Sequence, residues 1–140
     1  MGLEDQLQRV ADDLEVRSAV ARIAQLSDEG GLDDYLAMFT DDAVWDGGSV
    51  FGVRKGHADI LAGAKERRAA GTSGPGSHNR HVITTSAVRV EGDVARVRSY
   101  FLFYVECDKT PSARVVGVYQ DEFRRSKAGW KLARRVIEKA

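Results

Sequence analysis

A change of hydrophobic period midway along the chain constrains the fold more than any other feature. The first half carries apolar residues at helical spacing, and the second carries four long runs rich in Val, Ile, Tyr and Phe. Leu3, Leu7, Val10, Leu14, Ala21 and Ala24 form one stripe, with Val16, Val20 and Ile23 beside it. This predicts a helix from Leu3 to Ser27, ended by Gly30-Gly31. A second helix is expected over Leu32 to Phe39, with Tyr35, Met38 and Phe39 on its apolar side. A short strand follows at Ala43 to Asp46, then a brief strand or turn at Gly52 to Gly56, then a third helix from about His57 to Ala70. The later runs are His81 to Val90, Asp93 to Cys107, Ala113 to Arg125 and Trp130 to Ile137. Glu91-Gly92, Asp108 to Ser112 and Lys127-Ala128-Gly129 separate them and suit hairpins, so four antiparallel strands in a meander are predicted. Helices first and strands afterwards imply an α+β fold, with the helices covering one face of a curved sheet.

Composition narrows the class. The 140 residues, 43% apolar, suit a single domain over 1–140 with a substantial core. Basic and acidic residues balance at 21 each, whereas a nucleic-acid protein would need an excess of cations. No apolar run approaches the roughly 18 residues of a membrane span. The acidic, polar start from Met1 to Gln6 has no secretory character, and the lone Cys107 suits a reducing compartment. A cytoplasmic protein is expected, with no nucleic-acid or membrane partner.

Several chemical motifs are missing. The loop Gly71 to Ser77 lacks the lysine of a phosphate-binding loop and follows no strand, so it reads as a flexible connection. No serine sits in a nucleophile elbow. Cys107 has no basic neighbour to activate it and reads as a small apolar residue. His78 and His81, three apart at a strand entrance, would point to opposite faces, so neither a metal site nor any cofactor is expected.

Three ionisable residues are predicted to turn inward. Asp28 shares a stripe with Ala21 and Ala24, His81 is in phase with Ile83, Thr85 and Ala87, and Arg135 is in phase with Ala133 and Ile137. Each has an ordinary alternative: a solvated helix end, a structural histidine, a surface arginine. The aromatic residues Trp45, Phe101, Phe103, Tyr100, Tyr104 and Tyr119 can fill a core or line a pocket. Alternation sets Phe101 and Phe103 on one strand face and Tyr100 and Tyr104 on the other.

The strings Leu26-Ser27-Asp28-Glu29-Gly30, Tyr35 to Trp45, Gly52 to Gly56, Arg80-His81, Glu91-Gly92-Asp93, Tyr119 to Phe123 and Gly129-Trp130-Lys131 give the chain a family likeness. It resembles the SnoaL-like group of the NTF2-like superfamily over nearly its whole length. Within that superfamily it is most similar to the cofactor-independent lyases, scytalone dehydratase and hexachlorocyclohexane dehydrochlorinase. The resemblance implies a cone-shaped α+β barrel, mainly antiparallel, with an apolar pocket and an aspartate–histidine dyad. Asp28 matches the dyad aspartate, His81 the histidine, Arg135 an arginine near the leaving group and Trp45 a pocket-lining tryptophan. The dehydrochlorinase has a lysine where this chain has Ile23, which argues against halide elimination. Tyr35, Tyr100, Tyr104 and Tyr119 are candidates for polarising a substrate carbonyl, and His78 for the pocket mouth.

These matches lead to an expected cofactor-free dehydratase on a small hydrophobic cyclic or aromatic substrate. His81 would be the general base, Asp28 its orienter and Arg135 the electrostatic stabiliser, with Trp45, Tyr35, Ile23, His78, Phe101, Phe103 and Tyr119 around the substrate. An isomerase or polyketide cyclase using the same base is the first alternative. A non-catalytic subunit, like the small subunit of a ring-hydroxylating oxygenase, is the second. In such cones the outer sheet face often joins subunits, so a homodimer or homotrimer is expected.

Overall fold

The computed structural model describes residues 1–140. In chain order it contains α1 (Leu3–Glu29), α2 (Leu32–Ala37), β1 (Phe39–Asp46), α3 (Gly48–Phe51), β2 (Val53–Lys55), α4 (Gly56–Ala69), β3 (Arg80–Glu91), β4 (Val94–Val105), β5 (Ser112–Ser126) and β6 (Gly129–Lys139). The last four strands form the expected antiparallel meander. Strand β1 then joins β6 in parallel and β2 closes on β1, giving one sheet in the order β2-β1-β6-β5-β4-β3. The first and last strands do not meet, so the sheet is an open, curved α+β layer and not a closed barrel. Phe39, assigned above to the second helix, starts β1, and the short α3 had no sequence signal.

Helix α1 uses a different face from the one its strongest stripe suggests. Leu3, Leu7, Val10 and Leu14 are exposed, Leu3 to 70%, and every residue from Leu3 to Ala11 is exposed. The buried face starts at Asp12 and runs through Val16, Ala19, Val20, Ile23 and Ala24 to Asp28, while Ala21 points out. The reason is reach: the sheet meets the helix only from Asp12 onward. There Arg125 donates to both Asp12 carboxylate oxygens at 2.8 Å, the Trp130 indole donates to Oδ1 at 3.1 Å, and the Trp130 backbone N–H donates to Glu15. Between α1 and the sheet lies the core of Val16, Val20, Ile23, Phe39, Ile60, Phe123 and Leu132.

Two irregularities set which strand residues face inward. A bulge at Thr84 shifts the β3–β4 register, so Ile83 pairs with Phe101 but Thr85 with Tyr100. Thr85 and Ala87 are therefore exposed, and Ser86 and Val88 take the inner positions expected for them. A second bulge at Ala133 in β6 buries both Leu132 and Ala133 before Arg135 resumes the inward phase.

The loop from Gly71 to Ser77 is tied down, contrary to its flexible composition. Ser73 and Gly74 are buried, and Asn79 donates to the Thr72 carbonyl at 2.9 Å. Gly74 has φ +96°, and a Cβ there would lie 2.7 Å from Arg68 Cγ. Only glycine fits both demands. No helix in the structure is long and apolar enough to cross a membrane.

Candidate active site

The structure brings the end of α1 against the start of β3. His81 Nδ1 lies 2.6 Å from Asp28 Oδ1, and the His81 backbone N–H donates to Oδ2 at 2.8 Å. An ionised carboxylate only accepts, so it is Nδ1 that carries the hydrogen in this contact. The double grip fixes both the backbone and the ring of one residue, and it leaves Nε2 without a protein partner. Asp28 is 3% exposed and the His81 side chain 19%.

Two supports hold this end of α1. The last turn leaves carbonyls without helical partners. Arg68 of α4 donates to three carbonyls here, Leu26 at 3.1 Å, which also accepts the Gly30 N–H, Ser27 at 3.4 Å and Gly30, just past the helix, at 2.8 Å. A cation at a helix C-terminus also suits the helix dipole. Gly30 allows the tight exit, since a Cβ there would sit 2.5 Å from Leu26 Cδ2.

An aromatic group flanks the imidazole. Phe103 lies 4.7 Å from the His81 ring and Phe101 6.1 Å, measured between centroids. Phe101 stacks on Tyr119 at 4.2 Å, over Gly117, where a Cβ would come within 2.2 Å of the Phe101 ring. Phe101 and Tyr119 stand outside the main core cluster, whereas Ile23, Tyr35 and Trp45 belong to it. Tyr100 is exposed on the opposite sheet face.

Arg135 is buried, but it is not a free cation. Its Nε and Nη2 donate to the two oxygens of Asp121 at 2.8 and 2.9 Å, a bidentate pair across neighbouring strands. Its guanidinium also covers the Tyr119 ring at 3.8 Å. Burial opposes the charge on Arg135, yet the Asp121 carboxylate outweighs it and holds the arginine pKa above its ordinary value. Burial pushes the Tyr119 phenol up, against the pull of Arg135 and with the help of the Asp121 carboxylate, so Tyr119 stays a hydrogen-bond donor. Asp121 was missed from the sequence, although its phase with Tyr119 and Phe123 on β5 marks an inward carboxylate.

Arg67 was missed as well. It continues the inward row of α4 through Ile60 and Ala64, and its guanidinium lies 4.4 Å over the Trp45 ring. Desolvation lowers its pKa. Burial raises that of Tyr35, opposed by the nearby Arg67 and Arg135 charges. His78 is exposed at φ +57°, with Asp108 as its charged neighbour at 3.8 Å and no contact to the dyad. Among all side-chain polar atoms sealed from solvent, Thr40 Oγ1 alone has no partner. His81 Nε2 and the Tyr119 hydroxyl, which also lack protein partners, must therefore border accessible space.

The arrangement can do general-base chemistry: a fixed imidazole, one ring nitrogen open, beside a rigid aromatic wall and a buried phenol donor. No three His, Cys, Asp or Glu side chains converge as a metal-binding group. A groove of about 370 Å³ lies elsewhere, on the outer sheet face, lined in part by Arg89, Arg96, Arg98 and Arg134. Its carboxylates, Asp121 and Glu122, are each paired with arginines, and neither Asp28 nor His81 lines it.

Helices packed on one side of an open, strongly paired sheet define an NTF2-like, cystatin-like fold. A 27% identical NTF2-like protein from Novosphingobium aromaticivorans, with a cystatin-like fold, superimposes with TM-score 0.83 over 96% of this chain and 86% of that one. The chain belongs to the SnoaL-like domain family, whose model matches residues 8–136. A candidate aromatic ring hydroxylase from the same organism is 30% identical, with TM-score 0.78 over 93% and 90% of the two chains. ActVI-ORFA from Streptomyces coelicolor, 21% identical, gives TM-score 0.72 over 90% and 95%. A comparison with curated protein sequences gave no match.

Proposed function

We propose that this protein is a cofactor-independent lyase, a dehydratase of small hydrophobic cyclic or aromatic substrates. The observation that carries the reading is the Asp28–His81 contact at 2.6 Å with Nε2 left open beside Phe101 and Phe103. Nε2 takes a proton from a carbon next to an electron-withdrawing group, and Asp28 stabilises the imidazolium that results. The C–H electron pair becomes the new double bond as the hydroxyl leaves. The imidazolium proton goes to that hydroxyl, so water departs and the dyad returns to its starting state. Tyr119, held protonated, is suited to donate to a substrate carbonyl as charge develops there. Arg135, neutralised by Asp121, acts in this scheme on the orientation of Tyr119.

The expected result of His81→Ala is a folded protein whose turnover falls by ~10²- to 10⁴-fold. Undiminished turnover in that variant sinks the mechanism. Isomerisation or cyclisation by the same base is the second reading, since an open Nε2 can return its proton to another carbon as readily as to a departing hydroxyl. Reaction in deuterated water separates them, because elimination yields an unsaturated product and isomerisation returns a deuterated isomer. The third reading, a non-catalytic partner of a ring hydroxylase, draws on the 30% identical neighbour. An intact dyad weighs against it.

A second copy of this chain is the proposed partner. Val82, Leu102 and Val116 lie side by side on the outer sheet face, and Val82 and Val116 are largely exposed beside Tyr100. An apolar row of this kind suits a symmetric, self-complementary contact. The mass in solution tests it, and a monomer at micromolar concentration would dismiss it.

A further inference from the structure

Of the arginines that are not exposed, Arg54 pairs with Asp59 and Glu66, Arg80 faces Glu29, and Arg135 pairs with Asp121. Arg68 is satisfied by the carbonyls of α1. Arg67 is the exception, with no carboxylate within ion-pair distance and no carbonyl accepting from its side chain. None of its nitrogens is sealed from solvent, so the guanidinium borders accessible space.

Its surroundings are built. The guanidinium carbon lies 4.4 Å from the centre of the Trp45 ring, and an arginine held by an aromatic ring can still offer N–H groups to a carboxylate. The Tyr35 hydroxyl is beside it. Gly63, one turn earlier, keeps the space clear, since a Cβ there would lie 3.2 Å from Arg67 Nη1. Trp45 pairs with Arg135 across β1 and β6, Arg135 covers Tyr119, and Tyr119 stacks on Phe101 beside His81, so one row of side chains leads from the guanidinium to the dyad. A partly buried cation without a counter-ion is costly, and an incoming anion repays that cost.

We propose that Arg67 binds a carboxylate carried by the substrate, which narrows the substrate class to small cyclic or aromatic acids. This rests on reading the Asp28–His81 pair as an enzyme site. The carboxylate docks on the N–H groups of the guanidinium, the ring of the acid lies against the aromatic wall, and the carbon to be deprotonated is presented to Nε2.

The test is binding of benzoate against its neutral counterpart benzamide to the full chain. Nuclear magnetic resonance follows the Trp45 indole N–H and the Arg67 Nε–H. Charge-assisted hydrogen bonds predict at least ~10-fold tighter binding of benzoate, with both resonances shifted. Arg67→Gln is expected to abolish the preference, and Arg67→Lys, which keeps the charge without the fork, to retain part of it. His81→Ala keeps the preference while losing turnover, so failure of the base mechanism and failure of the anchor are separable. Equal affinity for the two probes, a benzoate preference that survives Arg67→Gln, or no saturable benzoate binding overturns the proposal.

Discussion

The protein holds two inward acid–base pairs of opposite use, one sealed and one reaching toward solvent through its imidazole. Asp121 and Arg135 meet through two oxygens and two nitrogens, so the carboxylate is committed to a partner that stays protonated and the pair is closed to proton exchange. Asp28 and His81 also make two contacts, but one of them is to the His81 backbone, so the second ring nitrogen stays open. The first pair is closed and sets the shape of the Tyr119 wall. The second is half-open and can exchange a proton with a guest. Burying a charge near a reaction site does not by itself make it reactive; what matters is whether a basic atom remains unspent.

The comparison can be broken from either side. The largest effect is expected from Asp28→Asn. An amide offers one acceptor where His81 presents two N–H donors, so the ring loses its fixed tautomer and turnover falls by ~10²- to 10⁴-fold. Steady-state rates on a folded variant check it. Asp121→Ala strikes the closed pair and leaves the Arg135 charge buried alone. It is expected to cost about 3–5 kcal/mol of stability by denaturant melting, because an uncompensated buried charge is far worse than a missing pair.

Gly117→Ala probes the wall between the two pairs. The added methyl collides with Phe101 and costs about 1–3 kcal/mol, with a change in the near-ultraviolet aromatic signal. The mildest test is acid. The Arg125 hydrogen bonds outweigh burial and hold Asp12 at about 2, below its usual 3.8. A depressed carboxylate stabilises the fold above its unfolded pKa, and that contribution fades as pH falls from about 4 through 2. Asp12→Asn should flatten the stability profile in that window and leave the Asp28–His81 site untouched.

Much of the fold was legible because hydrophobic period reports directly on packing. The four long strands follow from Val, Ile, Tyr and Phe runs cut by turn residues, and α4 follows from Ile60, Leu61 and Ala64. The stripe from Leu3 to Leu14 misled because periodicity shows which residues share a face, not whether anything lies opposite it. The Thr84 bulge was invisible: one unpaired residue reverses the phase of everything after it, and no local composition announces it. The inward turn of Asp28 with Ala24, and of His81 with Ile83, could be read from spacing, whereas Ala21, Thr85 and Ala87 of the same sets are exposed, and the meeting of the two joins residues 53 apart in the chain. Arg135 was legible as buried, whereas its neutralisation required the β5–β6 register. Arg67 lay in plain phase with Ile60 and Ala64, and a cation on an apolar row was the signal that went unused.

The three carbonyls gathered by Arg68 have a mechanical consequence. Helix α4 and the last turn of α1 behave as one strapped unit, so prising them apart would drag the carboxylate of Asp28 away from its imidazole. A visitor that forced its way between these two helices would meet an imidazole already parted from its acid. Any approach to the imidazole that keeps the dyad whole must therefore leave the Arg68 strap in place.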